Sequence, residues 1–133
     1  MATKGSLDTS AIIRLLTNDI PAKRQQVAAL IEATQGALVV PDVAIMETVF
    51  VLGRIYQFTR QEIARSVQAV MSIEQVECSQ LLIDDALALF VDAPALSFED
   101  CYLAAAAKHH DAAPFYTFDK KLAKQAPATQ LIS

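Results

Sequence analysis

At 133 residues, 53% hydrophobic and 20% charged, the chain is long and apolar enough to fold around one core, which excludes a disordered polypeptide. A net charge of −4 excludes coating of nucleic acid through bulk positive charge, although a local basic rim is compatible with that sum. Cys78 and Cys101 are too few for a disulfide scaffold or a zinc site, and no apolar run approaches the roughly 18 residues of a membrane span. With no signal-peptide pattern at the start, the expected setting is reducing and cytoplasmic, away from a membrane.

Residues 1–7 read as a weak strand, diluted by Lys4, Gly5 and Ser6. Asp8 or Ser10 then offers an N-cap to a helix carrying Ile12, Ile13, Leu15 and Leu16. Asn18-Asp19-Ile20-Pro21 breaks it, with Pro21 suited to the first turn of the next helix. That helix is expected to turn Val27, Leu30 and Ile31 inward and to end near Gly36. Ala37-Leu38-Val39-Val40 reads as a buried strand stopped by Pro41, and Asp42 as the cap of a helix over 43–56. Val43, Met46, Phe50 and Val51 recur at helical spacing and are the expected buried stripe of that helix. Glu47 falls on the same stripe. A carboxylate buried there without a partner costs several kcal/mol, roughly, so Glu47 must pair with a cation or line a wet cleft.

Thr59 and Glu62 have capping-box spacing ahead of a helix with the stripe Ile63, Val67, Val70 and Met71. Val76-Glu77-Cys78 is a short strand, expected near a sheet edge. A helix over 80–90 carries Leu81, Leu82, Ala86, Leu89 and Phe90, and Asp92-Ala93-Pro94 interrupts it. Ser97 begins a helix running to His110. Residues 114–117 form a brief strand, 119–126 a short helix and 130–132 a last strand. Strands alternating with helices predict one domain over 1–133, a three-layer α/β/α fold with a central parallel sheet of about five short strands.

Ligands of open α/β sheets bind beyond the carboxyl ends of the strands. Asp8, Asp100 and Asp119 stand at such ends or at the helix starts that follow, and Glu47 lies one turn into its helix. Each acid also has a purely structural reading. Asp8 and Asp119 suit N-caps, and Ser97 with Asp100 matches a capping box. Glu47 is the hardest to explain away, given its apolar neighbours. Together the four point elsewhere. Two carboxylates about 4 Å apart repel by roughly 4 kcal/mol at an effective dielectric near 20, so such a cluster calls for a cation. All-oxygen ligation suits Mg²⁺ or Mn²⁺, and phosphodiester hydrolysis is the reaction that arrangement fits.

Four segments, Leu7-Asp8-Thr9-Ser10-Ala11-Ile12-Ile13-Arg14, Val40-Pro41 leading to Glu47, Ser97-Phe98-Glu99-Asp100 and Tyr116-Thr117-Phe118-Asp119-Lys120-Lys121, resemble the PIN-domain nucleases. Within that family the chain looks most like a VapC-type toxin of a bacterial toxin–antitoxin pair. The resemblance implies that Asp8, Glu47, Asp100 and Asp119 bind Mg²⁺ or Mn²⁺ and catalyse RNA cleavage that leaves a 5′-phosphate and a 3′-hydroxyl. It implies supporting roles for Thr9, Ser10 and Thr117, a homodimer, and a cognate antitoxin. Ser10 stands where relatives often have Asn, and Ser97 where they often have Asp, a change that removes a charge beside Asp100.

Arg14, Lys120, Lys121 and Lys124 lie near these segments and could form a positive rim for RNA phosphates, although each also suits a solvated face. Phe98 and Tyr116 are expected in the core rather than stacked on bases. His109-His110 is expected to satisfy helix C-terminal carbonyls. Apolar positions around Val49, Val51, Ile55, Ile63 and Val67 are the expected dimer and partner surfaces. Two rivals remain: a PIN-like domain that binds RNA or protein without cutting, and a phosphorelay receiver. The receiver fits poorly, because Leu7-Asp8-Thr9 carries no acidic doublet and no lysine follows the last strand.

Overall fold

A computed structural model describes all residues, Met1–Ser133, as two compact units, Met1–Ser79 and Gln80–Ser133. The first unit holds β1 (Thr3–Ser6), α1 (Thr9–Leu16), α2 (Pro21–Ala33), β2 (Ala37–Val39), α3 (Asp42–Arg54), α4 (Arg60–Met71) and β3 (Val76–Glu77). β2 is central and pairs in parallel with β1 on one side and β3 on the other, so β3 is an edge strand as its polarity suggested. The strands are short because Pro41 stops β2 and Asp8 caps α1 two residues after β1 ends. Gly36 lets the chain enter β2. It has φ 137°, and a Cβ there would stand 2.5 Å from the carbonyl oxygen of Ala2.

The helices cover this sheet with Ile12, Ile45, Leu52, Val67 and Val70, each essentially removed from solvent. Burying such a side chain stabilises the fold by roughly 1.5–3 kcal/mol. α4 follows its sequence signals closely. Thr59 Oγ1 accepts from the Glu62 N–H, the Glu62 carboxylate accepts from the Thr59 N–H, and Ile63, Val67, Val70 and Met71 are buried. The Thr59 backbone N–H first, and the Thr59 hydroxyl after it, hold the Glu62 carboxyl below its ordinary value.

α3 departs from expectation. Its buried face is Ala44, Ile45, Thr48, Val49 and Leu52, whereas Val43 and Phe50 are exposed and Glu47 is exposed with them. Eight of the thirteen residues of α3 are apolar, so periodicity alone fits two stripes, and packing against α1 and α4 selects the other one. Pro41, not Asp42, holds the N-cap position, and Asp42 is the first helical residue. In α2 only Ile31 of the expected trio is buried, and Leu30 is exposed. Val49, Ile63 and Val67 are core residues, so the partner surfaces expected around them are corrected. Ile55 remains exposed.

The end of α1 is tied to the end of α3 through Asp19. Its carboxylate accepts from Tyr56 Oη at 2.7 Å, from Thr17 Oγ1 at 2.9 Å and from Arg14 Nη1 at 3.1 Å. These donors, led by Tyr56 and Thr17 with Arg14 third, pull the Asp19 carboxyl down from 3.8 to about 2.

The second unit holds α5 (Gln80–Asp92), α6 (Phe98–His109), β4 (Phe115–Thr117), α7 (Lys120–Gln125) and β5 (Thr129–Leu131). α5 and α6 pack through Ile83, Leu87 and Cys101, all buried, and Phe90 meets Phe98 edge to face at 5.6 Å. Leu81, expected inward, is exposed. His109 does not cap carbonyls through its ring; its Nε2 meets Asp85 Oδ2 at 2.6 Å and links the two helices. β4 and β5 pair in parallel around α7, with Leu122 packed beneath. No helix is long and apolar enough to cross a membrane.

Candidate active site

Asp8 follows β1 and caps α1, because the extended backbone at Asp8 points its short side chain back at the first helical turn. Its Oδ1 accepts from the Ala11 N–H at 3.0 Å and from Ser10 Oγ at 2.7 Å. Those two bonds, the Ala11 N–H first, hold the Asp8 carboxyl below 3.8. Asp8 is therefore an anion at neutral pH, and both of these bonds fall on Oδ1. Ser10, expected as a supporting residue, supplies one of the two bonds.

Glu47 reaches the same place from α3. Thr9 Oγ1 donates to Glu47 Oε1 at 3.2 Å, which fixes Glu47 beside the turn that Asp8 begins. Asp8, Thr9 and Glu47 line an open cleft of about 520 Å³, walled by Leu30, Pro41 and Val43. Of the two possibilities that the sequence leaves for Glu47, a wet cleft is the one realised. Its exposure comes from the reversed stripe of α3.

The second unit presents the other two acids. Asp119 follows β4 and caps α7: its Oδ1 accepts from the Lys121 N–H at 2.9 Å and the Leu122 N–H at 3.1 Å. Thr117 Oγ1 accepts from the Asp119 N–H at 3.0 Å and steadies that turn. Asp100 lies in the first turn of α6, which follows α5 through a loop rather than a strand. Ser97 Oγ accepts from the Asp100 N–H at 3.2 Å, but the return bond seen in α4 is not made, leaving the Asp100 carboxylate outside the cap. No group of three or more His, Cys, Asp or Glu side chains stands together as a metal-holding cluster.

Among the expected rim cations, Arg14 is engaged with Asp19, and Lys120 and Lys121 are exposed in the first turn of α7. Phe98 is in the core, as expected. Tyr116 is not: it is exposed, and so is Phe118, which the sequence reading passed over. Phe118 stands one residue beyond β4, so no strand alternation in the sequence marked it.

The donor set is all oxygen. Carboxylates near hydroxyls suit a hard divalent cation, so the residues of the first unit fit such an ion. In each unit an acid stands at the start of a helix that follows a parallel strand, Asp8 in the first and Asp119 in the second. The chain belongs to the PIN domain family, whose profile matches residues 6–127 and so spans both units. Members of this family are nucleases, typically dependent on divalent metal ions, and the three-layer α/β/α class expected from sequence is theirs. A search of curated proteins returns no match.

Proposed function

We propose that the protein is a metal-dependent endoribonuclease in which Asp8, Glu47, Asp100 and Asp119 hold Mg²⁺ or Mn²⁺, and that it serves as a VapC-type toxin. The observation that carries this reading is the Asp8–Glu47 cleft, where an anionic carboxylate and a second acid, oriented by the Thr9 hydroxyl, line the same open space. The bound ion would lower the pKa of a water and offset charge building on the phosphate. The chain's own residues supply the rest. Ser10 and the Ala11 N–H keep Asp8 ionised, Thr9 sets the Glu47 carboxylate, and Thr117 holds the turn before Asp119. Lys120 and Lys121 offer charge to phosphates.

A homodimer and an antitoxin belong to the same proposal. The exposed Val43 and Phe50 of α3, with Ile55 just beyond it, support a protein-contact face. The decisive experiment is cleavage of single-stranded RNA by the purified protein. Activity is expected with Mg²⁺ or Mn²⁺, none with EDTA, and almost none for Asp8→Asn or Asp100→Asn with circular dichroism unchanged. Equal cleavage by wild type and both variants would remove the catalytic reading.

A further inference from the structure

The α1–α3 pair is joined by a hydrogen bond at each end. At the cleft, Thr9 Oγ1 donates to Glu47 Oε1 at 3.2 Å, a long bond open to competition from water. At the far end, Tyr56 Oη, two residues past α3, donates to Asp19 at 2.7 Å, and Arg14 and Thr17 hold the same carboxylate to α1. α1 has eight residues, so about 12 Å of helix separates the two bonds. Tyr56 is itself held in place. Its ring meets Phe58 edge to face at 6.5 Å, and Gln57 between them turns the chain with φ 58°. Tyr56 leads the donors that pull the Asp19 carboxyl down to about 2, so an ionised acceptor receives its bond across the neutral range.

Between these ends the two helices pack on each other. Their buried side chains, Ile12, Ile13, Ile45, Val49 and Leu52 among them, are apolar apart from Thr48, whose hydroxyl donates within its own helix to the Ala44 carbonyl. Apolar burial is non-directional, so it holds helices together while setting their relative slide and rotation less firmly. Directional bonds at two points set both. The cleft depends on that setting, because Asp8 caps α1 and Glu47 stands on α3. A shift of about 1 Å between the helices moves one carboxylate against the other, and misplacement of that size costs about a hundredfold in catalysis. We infer that the Tyr56–Asp19 bond is a brace that sets where Glu47 stands relative to Asp8, which makes Tyr56 and Asp19 positioning residues of the proposed metal site. This rests on the proposed metal reading and adds the residues that hold its geometry from a distance. Neither lines the cleft, so both act through the acids rather than on an ion.

The test is calorimetric titration of the full chain with Mn²⁺, at neutral pH and well below the melting temperature, with folding checked by circular dichroism. Tyr56→Phe and Asp19→Ala are expected to weaken Mn²⁺ binding about tenfold, the low end for losing a group that orients a metal ligand. Asp19→Asn keeps an oxygen for Tyr56 Oη and is expected to bind within about threefold of wild type. A role in stability alone would leave Mn²⁺ affinity unchanged in a chain that stays folded. In a Glu47→Gln background, Tyr56→Phe is expected to weaken binding by less than about twofold further, because the ligand it positions is already lost. Binding by Tyr56→Phe within about twofold of wild type would overturn the inference, and so would equal weakening in both backgrounds. A metal-free readout separates the brace from the proposed function. The Glu47 side-chain carboxyl carbon, followed by NMR at neutral pH, is expected to move in Tyr56→Phe toward its position in Thr9→Val, which lacks the cleft bond outright. A wild type that takes up no Mn²⁺ while that resonance moves would sink the metal reading and leave the brace standing. Mn²⁺ uptake by wild type, with resonance and affinity both unmoved in Tyr56→Phe, would do the reverse.

Discussion

Asp119 is expected to do two jobs that a pair of substitutions separates. Its Oδ1 caps α7 by accepting from the Lys121 and Leu122 N–H groups, while the carboxylate charge is what the proposed ion requires. Asn keeps an oxygen in the same place and caps as well as Asp, but carries no charge. Ala removes both. Losing a cap of this kind costs about 1 kcal/mol, within a range of roughly 0.5–2. For a chain of this size that lowers Tm by about 3–6 °C. Asp119→Asn should therefore melt within about a degree of wild type, and Asp119→Ala several degrees lower, both followed by circular dichroism without metal. With Mn²⁺ at about a hundred times its Kd, a single site adds about 2.7 kcal/mol to wild type. Asp119→Asn should lose most of that gain and nearly all RNA cleavage. An Asn variant that cleaves at the wild-type rate would refute the metal role. An Asn variant as unstable as Ala would refute the capping role.

Three other substitutions probe the framework around the site. Glu47→Gln keeps an acceptor for Thr9 Oγ1 and should leave the melting temperature unchanged while weakening Mn²⁺ binding by calorimetry; unaltered uptake would exclude Glu47 as a ligand. Tyr56→Phe removes the leading donor to Asp19, so its carboxyl should rise from about 2 toward 3.8, read by carboxyl NMR titration. A depressed carboxyl stabilises the fold above its unfolded value and loses that contribution as pH falls through the folded one. The stability gap between wild type and Tyr56→Phe should therefore be full above pH 3.8 and close as pH falls toward 2. Gly36→Ala forces a side chain onto φ 137° and into the Ala2 carbonyl, and should cost at least 1–3 kcal/mol in urea unfolding, roughly the size of such backbone strain. A loss under about 0.5 kcal/mol would mean that the turn relaxes freely.

What the sequence disclosed depended on whether local chemistry had one answer or two. At α4, Thr59 and Glu62 admit a single capping arrangement and the apolar residues form a single stripe, so the helix was legible to the side chain. β2 was legible because Pro41 ends it. α3 has apolar residues on every face, and the stripe through Val43 and Phe50 fits the helical period as well as the stripe through Ile45, Val49 and Leu52. Yet the deciding residue was in plain view. Burying the first stripe puts Glu47 in the core at a cost of several kcal/mol, roughly, while burying the second leaves it in water. Treating that charge as a vote on the stripe, rather than as a puzzle on the wrong one, selects the observed face. Leu30 and Leu81 were misplaced for a different reason: an apolar residue in water costs little, so their types constrain their positions weakly. Phe118 was missed because it lies in the turn just beyond β4, where no strand alternation indicates which way its ring faces.

The same lesson applies to the acids, where capping and metal binding looked like competing accounts. A carboxylate has two oxygens and roughly four lone-pair sites, so one oxygen in a cap does not consume the group. Asp8 and Asp119 each place both of their helix bonds on Oδ1. Satisfying Oδ1 fixes the rotamer and so fixes where Oδ2 stands, which reduces the ordering that an incoming cation must impose. Capping is then the means by which the fold aims a ligand. Asp100 is the informative contrast: the Ser97 hydroxyl caps α6 through the Asp100 N–H, and the carboxylate takes no part. Its freedom is greater, so more of its ordering is left to whatever binds. Within the proposed quartet, Asp8 and Asp119 are the acids whose direction the backbone sets, and Asp100 is the one whose direction it leaves open.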